Sequence, residues 1–505
     1  MAWPMTSGQL FSARGAALLL IGLFALWGLT DPDGMRQVSV ALTGTMLTRF
    51  GWLVMLLSTA AVGLVAWLGL GRHRHARLGL AGESAEFSNA AWIAMLFAAG
   101  MGTGLVTWAV AEPVTHFLQP PGNAVLAPAA AARQAMVLTF LHWGVHAWAI
   151  YALCGLVIAW FSFRLGRPPL VSAPLEGLLP GRRGVALKIG ADSIGILAVT
   201  FGLAATLAMG VLALRSGFGA LGFATGSTAV PFLTLLGLGS LAMLSALSGL
   251  GRGIRLLSLF NIGLALALMT AVLLIGPTST LLSILVDSMG AYLAALPELS
   301  FRLRPLEGGA QWTADWTLTY LLWWLAWGPF VGVFIARISR GRTVGEFVAG
   351  VVIVPTLGSM LWFAVMGGSG LLAVMGQGAD GPLAVAVLKE PTSALILMLQ
   401  ALPAGTFLAL AAMLLLLTFI VTSIDSAIWV LAMMSSGGAE NPSIGARLAW
   451  GVALLVLASA MLSVATVEAT RAMAILGALP YPIILVLQSV ALLRALTHDP
   501  IKATP

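Results

Sequence analysis

Three tryptophans on one apolar segment are the side chains best placed to do chemistry in this sequence. Trp323, Trp324 and Trp327 lie within residues 312–338, which we predict to form one membrane-spanning helix. At 100° per residue, Trp323 and Trp327 are about 40° apart and Trp324 is about 100° from Trp323, so the three indoles share one flank. Together their ring faces form a negative surface that attracts a cation. Tight packing by bulky side chains is the alternative, and spacing alone leaves both open.

A second aromatic group lies on the apolar residues 134–163. Trp143, Trp148 and Tyr151 fall at about 0°, 140° and 80° on a helical wheel, so they form one broad aromatic face. His142 and His146 accompany them. We interpret both histidines as packed or hydrogen-bonded helix residues, with a proton relay as the less favoured alternative.

Glycines interrupt the apolar residues 88–118. Gly100, Gly102 and Gly104 alternate with other residues, and each costs a helix interior roughly 1 kcal/mol relative to alanine. This pattern permits an unwound stretch whose backbone groups face a ligand, as in the broken helices of transporters. Close packing between helices is the alternative, because small residues also serve that purpose.

Polar side chains within apolar runs are a further set of candidates. Thr422 and Ser423 are adjacent, but hydroxyls on membrane helices usually bond back to the preceding turn, so the pair alone is a weak signal. Glu112, Asp192 and Asp425 are the carboxylates nearest the apolar runs. Ionisable groups there are functional candidates by default, although we favour a structural role for Glu112 and Asp425.

Composition places these residues in a membrane protein. Hydrophobic residues make up 59% of the 505 residues, charged residues only 9%, and the mean hydropathy is +1.00. A soluble chain keeps about a quarter of its residues charged. The net charge of +7 is better explained by basic residues in the loops on one side of the membrane than by binding to nucleic acid. Cys154 is the single cysteine, which excludes an intramolecular disulfide. The HExxH and GxSxG motifs of hydrolytic enzymes do not occur in the sequence.

Apolar runs of the length that crosses a bilayer predict twelve spans. The predicted spans are 15–30, 51–70, 88–118, 134–163, 190–214, 229–249, 254–288, 312–338, 344–368, 405–434, 444–464 and 470–494. We interpret residues 381–402, which contain Lys389 and Glu390, as an external amphipathic segment instead of a thirteenth span. With both termini in the cytoplasm, most of the 25 lysine and arginine residues fall on the cytoplasmic side, as the positive-inside rule requires.

Several of these stretches resemble one family. The sequence WWLAWGPFVGVFIARISRGRTVGEF at 323–347 looks like the signature helix of the betaine/choline/carnitine transporters, a group of secondary transporters for quaternary-ammonium compounds. The stretch at 140–151, FLHWGVHAWAIY, resembles the family's second aromatic cluster. The glycines at 100–104 and the string TSIDS at 422–426 also match, the latter with Ile where the family has Ala.

The resemblance implies an all-α membrane protein with twelve transmembrane helices and LeuT-like inverted five-helix repeats in spans 3–7 and 8–12. Such repeats place the substrate at the bilayer midplane between the two halves. The implied divisions are 1–87 (two N-terminal spans and a cytoplasmic loop), 88–288 (first repeat), 289–311 (amphipathic interfacial helix and loop), 312–494 (second repeat) and 495–505 (short cytoplasmic tail).

It also implies the substrate site, an aromatic box for a trimethylammonium group. Such a box suits a cation without hydrogen-bond donors and is worth ~2 kcal/mol or more when desolvated. The expected substrate-binding residues are Trp143, Trp148, Tyr151, Trp323, Trp324, Trp327, Met101, Gly102 and Gly104.

Sodium is the coupling ion that the resemblance favours, and no other cofactor is expected. Gly104 resembles the sodium-coupled betaine carriers, whereas proton-coupled choline carriers tend to have Asp there. The expected ligands of one Na⁺ are Thr422, Ser423 and carbonyls near Ala98, Met101 and Phe419; Phe330 and Thr206 are candidates for a second ion.

The resulting expectation is a secondary active transporter in the bacterial cytoplasmic membrane. It would import a zwitterion such as glycine betaine by Na⁺ symport. The alternative is a proton-coupled or ion-independent carrier of choline, carnitine or a sulfonium compound such as dimethylsulfoniopropionate. Residues 289–305 resemble the family's trimer helix, so we expect a homotrimer surrounded by lipid, with no nucleic-acid partner. The short tails argue against a tail-based osmosensor.

Overall fold

The structure, a computed structural model, describes residues 7–80, 82–100, 102–248, 252–464 and 466–497. These residues are helical almost throughout and contain no β-strand, only an isolated bridge between Arg77 and Thr343. Helices are expected in so apolar a chain, because a backbone in lipid must satisfy its own polar groups. The all-α prediction is confirmed.

The helices are numbered in chain order. Those up to residue 299 are α1 (Ser7–Thr30), α2 (Pro32–Leu70), α3 (Asn89–Gly100), α4 (Thr103–Trp108), α5 (Ala111–Leu118), α6 (Pro128–Trp143), α7 (Val145–Ala159), α8 (Gly181–Ala220), α9 (Ala229–Ser248), α10 (Arg252–Ile275) and α11 (Thr278–Leu299). The others are α12 (Ala310–Thr313), α13 (Thr319–Ile338), α14 (Val344–Gln377), α15 (Pro382–Lys389), α16 (Ala394–Gln400), α17 (Gly405–Met434), α18 (Ile444–Ser463), α19 (Val467–Ala478) and α20 (Tyr481–Thr497).

Helix length and composition agree with twelve spans. Among the described residues, eleven helical stretches are long and apolar enough to cross a membrane, and Arg14–Thr30 is a shorter apolar helix. All of the eleven except α11 coincide with a predicted span. The third predicted span is missing from this set because it is divided among α3, α4 and α5. The two five-helix halves remain a prediction.

The glycine-rich third span is unwound, as predicted. α3 ends at Gly100 and α4 begins at Thr103, while Gly102 between them has an extended backbone with φ −149° and ψ −177°. A second break, near Val110, separates α4 from α5. Met101 lies outside the described residues.

The fourth span contains a break that the sequence analysis missed. Gly144 separates α6 from α7 with φ −101° and ψ −133°. A Cβ at this position would lie 2.4 Å from the carbonyl oxygen of Phe140, so only glycine fits without a shift. The Tyr292 hydroxyl accepts a 3.2 Å hydrogen bond from the Val145 amide, which the break leaves without its usual partner.

Two predicted boundaries differ from the structure. The predicted span 254–288 is too long, since α10 ends at Ile275 and α11 begins after Pro277, which has no N–H to continue a helix. The predicted division between residues 288 and 289 therefore falls inside α11. Residues 32–50, placed between the first two spans, instead extend the second span as part of α2.

The stretch 381–402 does not form a span, as predicted. It contains α15 and α16, of 8 and 7 residues, joined by a 3₁₀ turn at Pro391–Ser393. Neither helix approaches the roughly 20 residues that a crossing requires.

The loop after α2 is fastened to the end of α13. The Leu78 amide donates to the Arg342 carbonyl at 2.8 Å, and Arg337 donates to both carboxylate oxygens of Glu86 at 2.5 and 3.0 Å. The hydrogen bonds from Arg337 lower the pKa of the Glu86 carboxyl. This attachment holds the end of the signature helix that lies away from its aromatic residues.

Candidate functional site

A cavity of about 90 Å³ lies among α4, α7, α8 and α13. Every predicted substrate residue that the structure describes lines it. These are Gly102, Gly104, Trp143, Trp148, Tyr151, Trp323, Trp324 and Trp327. The structure therefore brings the two aromatic groups of the sequence together, although they are separated by more than 150 residues of chain.

The buried aromatic rings form a box around one end of this cavity. The ring centroid of Trp324 lies 5.1 Å from that of Trp143 and 5.9 Å from that of Tyr151. Trp148 lies 5.5 Å from Tyr151. All three pairs meet edge to face at 69–79°, so the rings are tilted against one another as separate walls. Such walls attract a quaternary ammonium group, which needs no hydrogen-bond acceptor.

The break at Gly144 fixes one wall of this box. A helix end leaves carbonyl groups without partners, and here the carbonyl of His142 is one of them. The indole N–H of Trp324 donates to this oxygen at 2.8 Å. The break between α6 and α7 thus frees the carbonyl that accepts the hydrogen bond orienting the Trp324 ring on α13.

A buried carboxylate fixes two further rings. One oxygen of Glu112 accepts from Trp143 Nε1 at 2.7 Å and from the Tyr320 hydroxyl at 2.5 Å. Its other oxygen lies 2.7 Å from His142 Nδ1 and 3.3 Å from His116 Nε2. Glu112 therefore ties α5, α6 and α13 together behind the cavity.

The histidines near the box behave as predicted. His142 Nε2 lies 3.0 Å from the Thr317 hydroxyl, so both of its ring nitrogens have partners. Glu112, His116 and His142 are close enough together to hold a metal ion, but neighbouring side chains already donate to both carboxylate oxygens. Both oxygens of Glu112 are therefore occupied, while His116 Nδ1 has no hydrogen-bond partner among the described residues.

The sequence analysis missed a ladder of aromatic rings on one face of the signature helix. Trp312, Trp316, Tyr320 and Trp324 recur every four residues and stack with centroid separations of 6.5, 6.3 and 5.8 Å. Residues four apart lie on one helix face, so the spacing was the available signal. The stack extends from the box to the beginning of the span.

An arginine from another helix lies against this ladder. The guanidinium carbon of Arg471, on α19, lies 4.1 Å from the ring centroid of Trp108, 4.9 Å from that of Trp316 and 5.7 Å from that of Tyr320. Arg471 also lines the cavity. No local sequence pattern indicated this residue, because its partners lie on α4 and on the helical stretch Ala310–Ile338.

Two of the predicted sodium ligands, Ser423 and Thr206, line a second, smaller cavity. Ser423 lines it together with Thr103 and Thr206, which also line the large cavity. Thr422 donates back to its own helix, with the carbonyl oxygens of Thr418 and Phe419 each 3.0 Å away. Oxygen atoms are the ligands that a hard cation prefers.

A buried amide supplies another oxygen near this position. Asn261 Nδ2 donates to the Thr422 hydroxyl at 3.3 Å, and Asn261 Oδ1 has no hydrogen-bond partner among the described residues. The described residues therefore offer side-chain oxygens that could hold an ion, Ser423 at the smaller cavity and Thr422 beside Asn261, without showing them around one common point. Ala98 lies in α3, Met101 is outside the described residues, and Phe330 packs on Trp327 with centroids 5.7 Å apart instead of lining the large cavity.

Glu112→Gln should weaken binding of a quaternary ammonium probe. Glutamine replaces one acceptor oxygen with a donor, so either Trp143 and Tyr320 or the histidines lose their partner and the rings lose their fixed orientation. We expect the affinity for tetramethylammonium, followed by tryptophan fluorescence, to fall about tenfold. Glu298→Gln, at an exposed position on α11, is the matched control. An unchanged affinity in folded Glu112→Gln would show that the carboxylate does not position the rings.

Comparison with known proteins agrees with this site. Residues 14–501 match the model of the BCCT, or betaine/carnitine/choline family transporter, family. The chain is 36% identical to the glycine betaine transporter OpuD of Bacillus subtilis, over 94% of this chain and 92% of that protein. It is 34% identical to an ectoine/hydroxyectoine transporter of Virgibacillus pantothenticus, over 96% of each chain. It is also 39% identical to an uncharacterized transporter of Mycobacterium tuberculosis, over 93% of this chain and 79% of that one.

The match extends over almost the whole chain and includes the broken third span, both aromatic groups and the signature helix. The chain belongs to the betaine/carnitine/choline transporter family and is a multi-pass membrane transporter, not an enzyme.

Proposed function

We propose that this transporter imports a quaternary-ammonium zwitterion such as glycine betaine together with Na⁺. The aromatic box of Trp143, Trp148, Tyr151 and Trp324 is the observation that carries the proposal. Its rings would replace the weak hydration of a trimethylammonium group, whereas an ammonium with N–H donors would lose its hydrogen bonds there. Several relatives, including that from Bacillus subtilis, are named as glycine betaine transporters, which supports glycine betaine as the substrate.

The proposed transport step uses the breaks in the spans. Substrate in the box would contact α7 and α13, while the unwound backbone at Gly102 and Gly104 faces the same cavity. Broken helices at the substrate site allow one group of helices to rock against another and expose the cavity to each side in turn. Glu112 keeps the rings in place in the substrate-bound state.

Sodium would be held where α17 meets the unwound third span. Thr422 and Ser423 would supply hydroxyl oxygens; Asn261 donates to Thr422, and Ser423 lines the smaller cavity. A bound ion would hold one arrangement of these helices, so ion and substrate would each increase the affinity for the other by the same factor.

The alternative is proton-coupled or ion-independent transport of choline, carnitine or a sulfonium compound. The aromatic box would accept each of these positive groups. Gly104, which leaves no carboxylate at that position, and the hydroxyl pair favour sodium. We place the protein in the bacterial cytoplasmic membrane with both termini inside, because the basic residues are concentrated in the segments that this topology makes cytoplasmic.

Trp324→Ala tests the box. Loss of the Trp324 ring removes one desolvated cation–π contact. It should weaken glycine betaine binding by roughly 2 kcal/mol, about thirtyfold. Binding is measured by calorimetry on purified protein. Trp52→Ala removes an exposed tryptophan on α2 and should leave the affinity unchanged. Equal affinities of wild type and folded Trp324→Ala would show that the cluster serves packing alone.

Uptake of labelled glycine betaine into vesicles tests the coupling ion. We expect uptake in a sodium gradient and little uptake when potassium replaces sodium. Thr422→Ala combined with Ser423→Ala should abolish the sodium dependence or the transport with it. The control pair Thr45→Ala and Thr48→Ala removes two exposed hydroxyls that bond back within α2. Equal wild-type uptake in both buffers would refute sodium coupling while leaving the aromatic box intact.

We also propose a homotrimer in which α11 contributes to the contact. Leu282, Val286 and Leu293 recur on one side of this helix and are exposed by 40, 64 and 56%. Light scattering in a mild detergent should give the mass of three chains. A monodisperse monomer that still transports substrate would contradict the trimer.

A further inference from the structure

Arg471 carries a positive charge and lines the same cavity as the aromatic box, which we propose to bind a positively charged group. Its guanidinium lies over the faces of Trp108, Trp316 and Tyr320. No described carboxylate lies within 4.0 Å of its nitrogens. Glu112, which Tyr320 separates from it, has both oxygens engaged by four other side chains.

The surroundings of this guanidinium leave its charge incompletely matched. Aromatic faces attract a positive charge, but they accept few hydrogen bonds and Arg471 carries five N–H donors. A charged group in an apolar bundle ordinarily pairs with an opposite charge. Glu112 and Asp315 act on Arg471 electrostatically, but no described carboxylate lies at ion-pair distance from it, and Arg471 lines the substrate cavity.

We propose that Arg471 is the subsite for the substrate's carboxylate and selects zwitterions over plain cations. The inference rests on the proposed function, because it requires a quaternary ammonium group in the aromatic box. A planar guanidinium binds a carboxylate through two parallel hydrogen bonds, which is the strongest neutralising contact available to it.

The same charge disfavours a cation that lacks a carboxylate. In a cavity of low dielectric constant, a quaternary ammonium group in the box is repelled by Arg471. A zwitterion offsets this repulsion by its own negative end, whereas choline does not. Arg471 therefore acts in two ways, as an attractive contact for one class of substrate and as a repulsive one for the other.

The geometry joins the two subsites through one ring. Tyr320 lies 5.7 Å from the guanidinium carbon on one side and 5.8 Å from the ring of Trp324 on the other. The long arginine side chain allows its head to follow a small ligand held in the box. Both subsites therefore border the same ring in one cavity, and a zwitterion would bridge them with the guanidinium turned toward the box.

Binding of glycine betaine and of choline to the purified full chain tests the proposal. Wild type should bind glycine betaine more tightly than choline. Arg471→Gln should weaken glycine betaine binding at least about tenfold and leave choline affinity unchanged or higher. Arg471→Lys keeps the charge but loses the planar guanidinium. Its affinity for glycine betaine should lie between those of wild type and Arg471→Gln, and it should still bind choline less tightly than glycine betaine.

Arg133→Gln is the matched control, since it removes an arginine whose ion pair with Asp287 is exposed and far from the cavity lining. An equal loss of affinity for both ligands in Arg471→Gln, or no loss of affinity for either, would overturn the proposal. Tighter choline binding in the presence of acetate in wild type but not in Arg471→Gln would support it, because the arginine would then bind a carboxylate beside the cation. Failure of wild type to bind either compound would instead refute the proposed function itself.

Discussion

The hydrogen bond from the Trp324 indole to the His142 carbonyl is the interaction on which the rest of the site depends. It exists because Gly144 interrupts the fourth span and leaves backbone groups without partners inside an apolar bundle. A side chain from α13 must satisfy that carbonyl, and the residue that does so is also a wall of the aromatic box. The cost of breaking a membrane helix is thus offset by the same contact that shapes the cavity. The Val145 amide, left free on the other side of the break, is satisfied by Tyr292 in the same manner.

Charge balance in the cavity follows from two residues of opposite sign. Glu112 is fully buried and is surrounded by four donors, while Arg471 lies across the aromatic ladder without a described carboxylate at ion-pair distance. A zwitterion adds no net charge to this arrangement, whereas a simple cation adds a positive charge where the dielectric constant is low. The rings between the two residues separate them, so that neither charge neutralises the other directly. A neutral substrate with separated charges is therefore the occupant that this distribution accommodates at least electrostatic cost.

The sequence predicted the features that depend on a local pattern. It did not predict those that depend on contacts between residues distant in the chain. Span positions follow from apolar length, and the unwound stretch at Gly102 follows from the glycine spacing. The break at Gly144 was missed because a single glycine in an apolar run is equally compatible with a continuous helix. The break at Pro277 was signalled by Gly-Pro and overlooked in favour of continuous hydropathy. The role of Arg471 could not be found from its neighbours in sequence, since its ring partners lie on α4 and on the helical stretch Ala310–Ile338.

The coupling that we propose between ion and substrate would have a structural basis in the wall that the two cavities share. Thr103 and Thr206 line both, and Ser423 lies on the far side of that wall. Thr103 begins α4, a helix of only 6 residues with a break at each end, so few backbone hydrogen bonds hold it to the rest of its span. An ion that ordered the wall would lower the entropic cost of closing it over a substrate, and a substrate would do the same for the ion. In the proposed function, the glycines that unwind the third span would therefore serve two purposes. They would expose backbone to the substrate, and they would free the segment that ion and substrate order together.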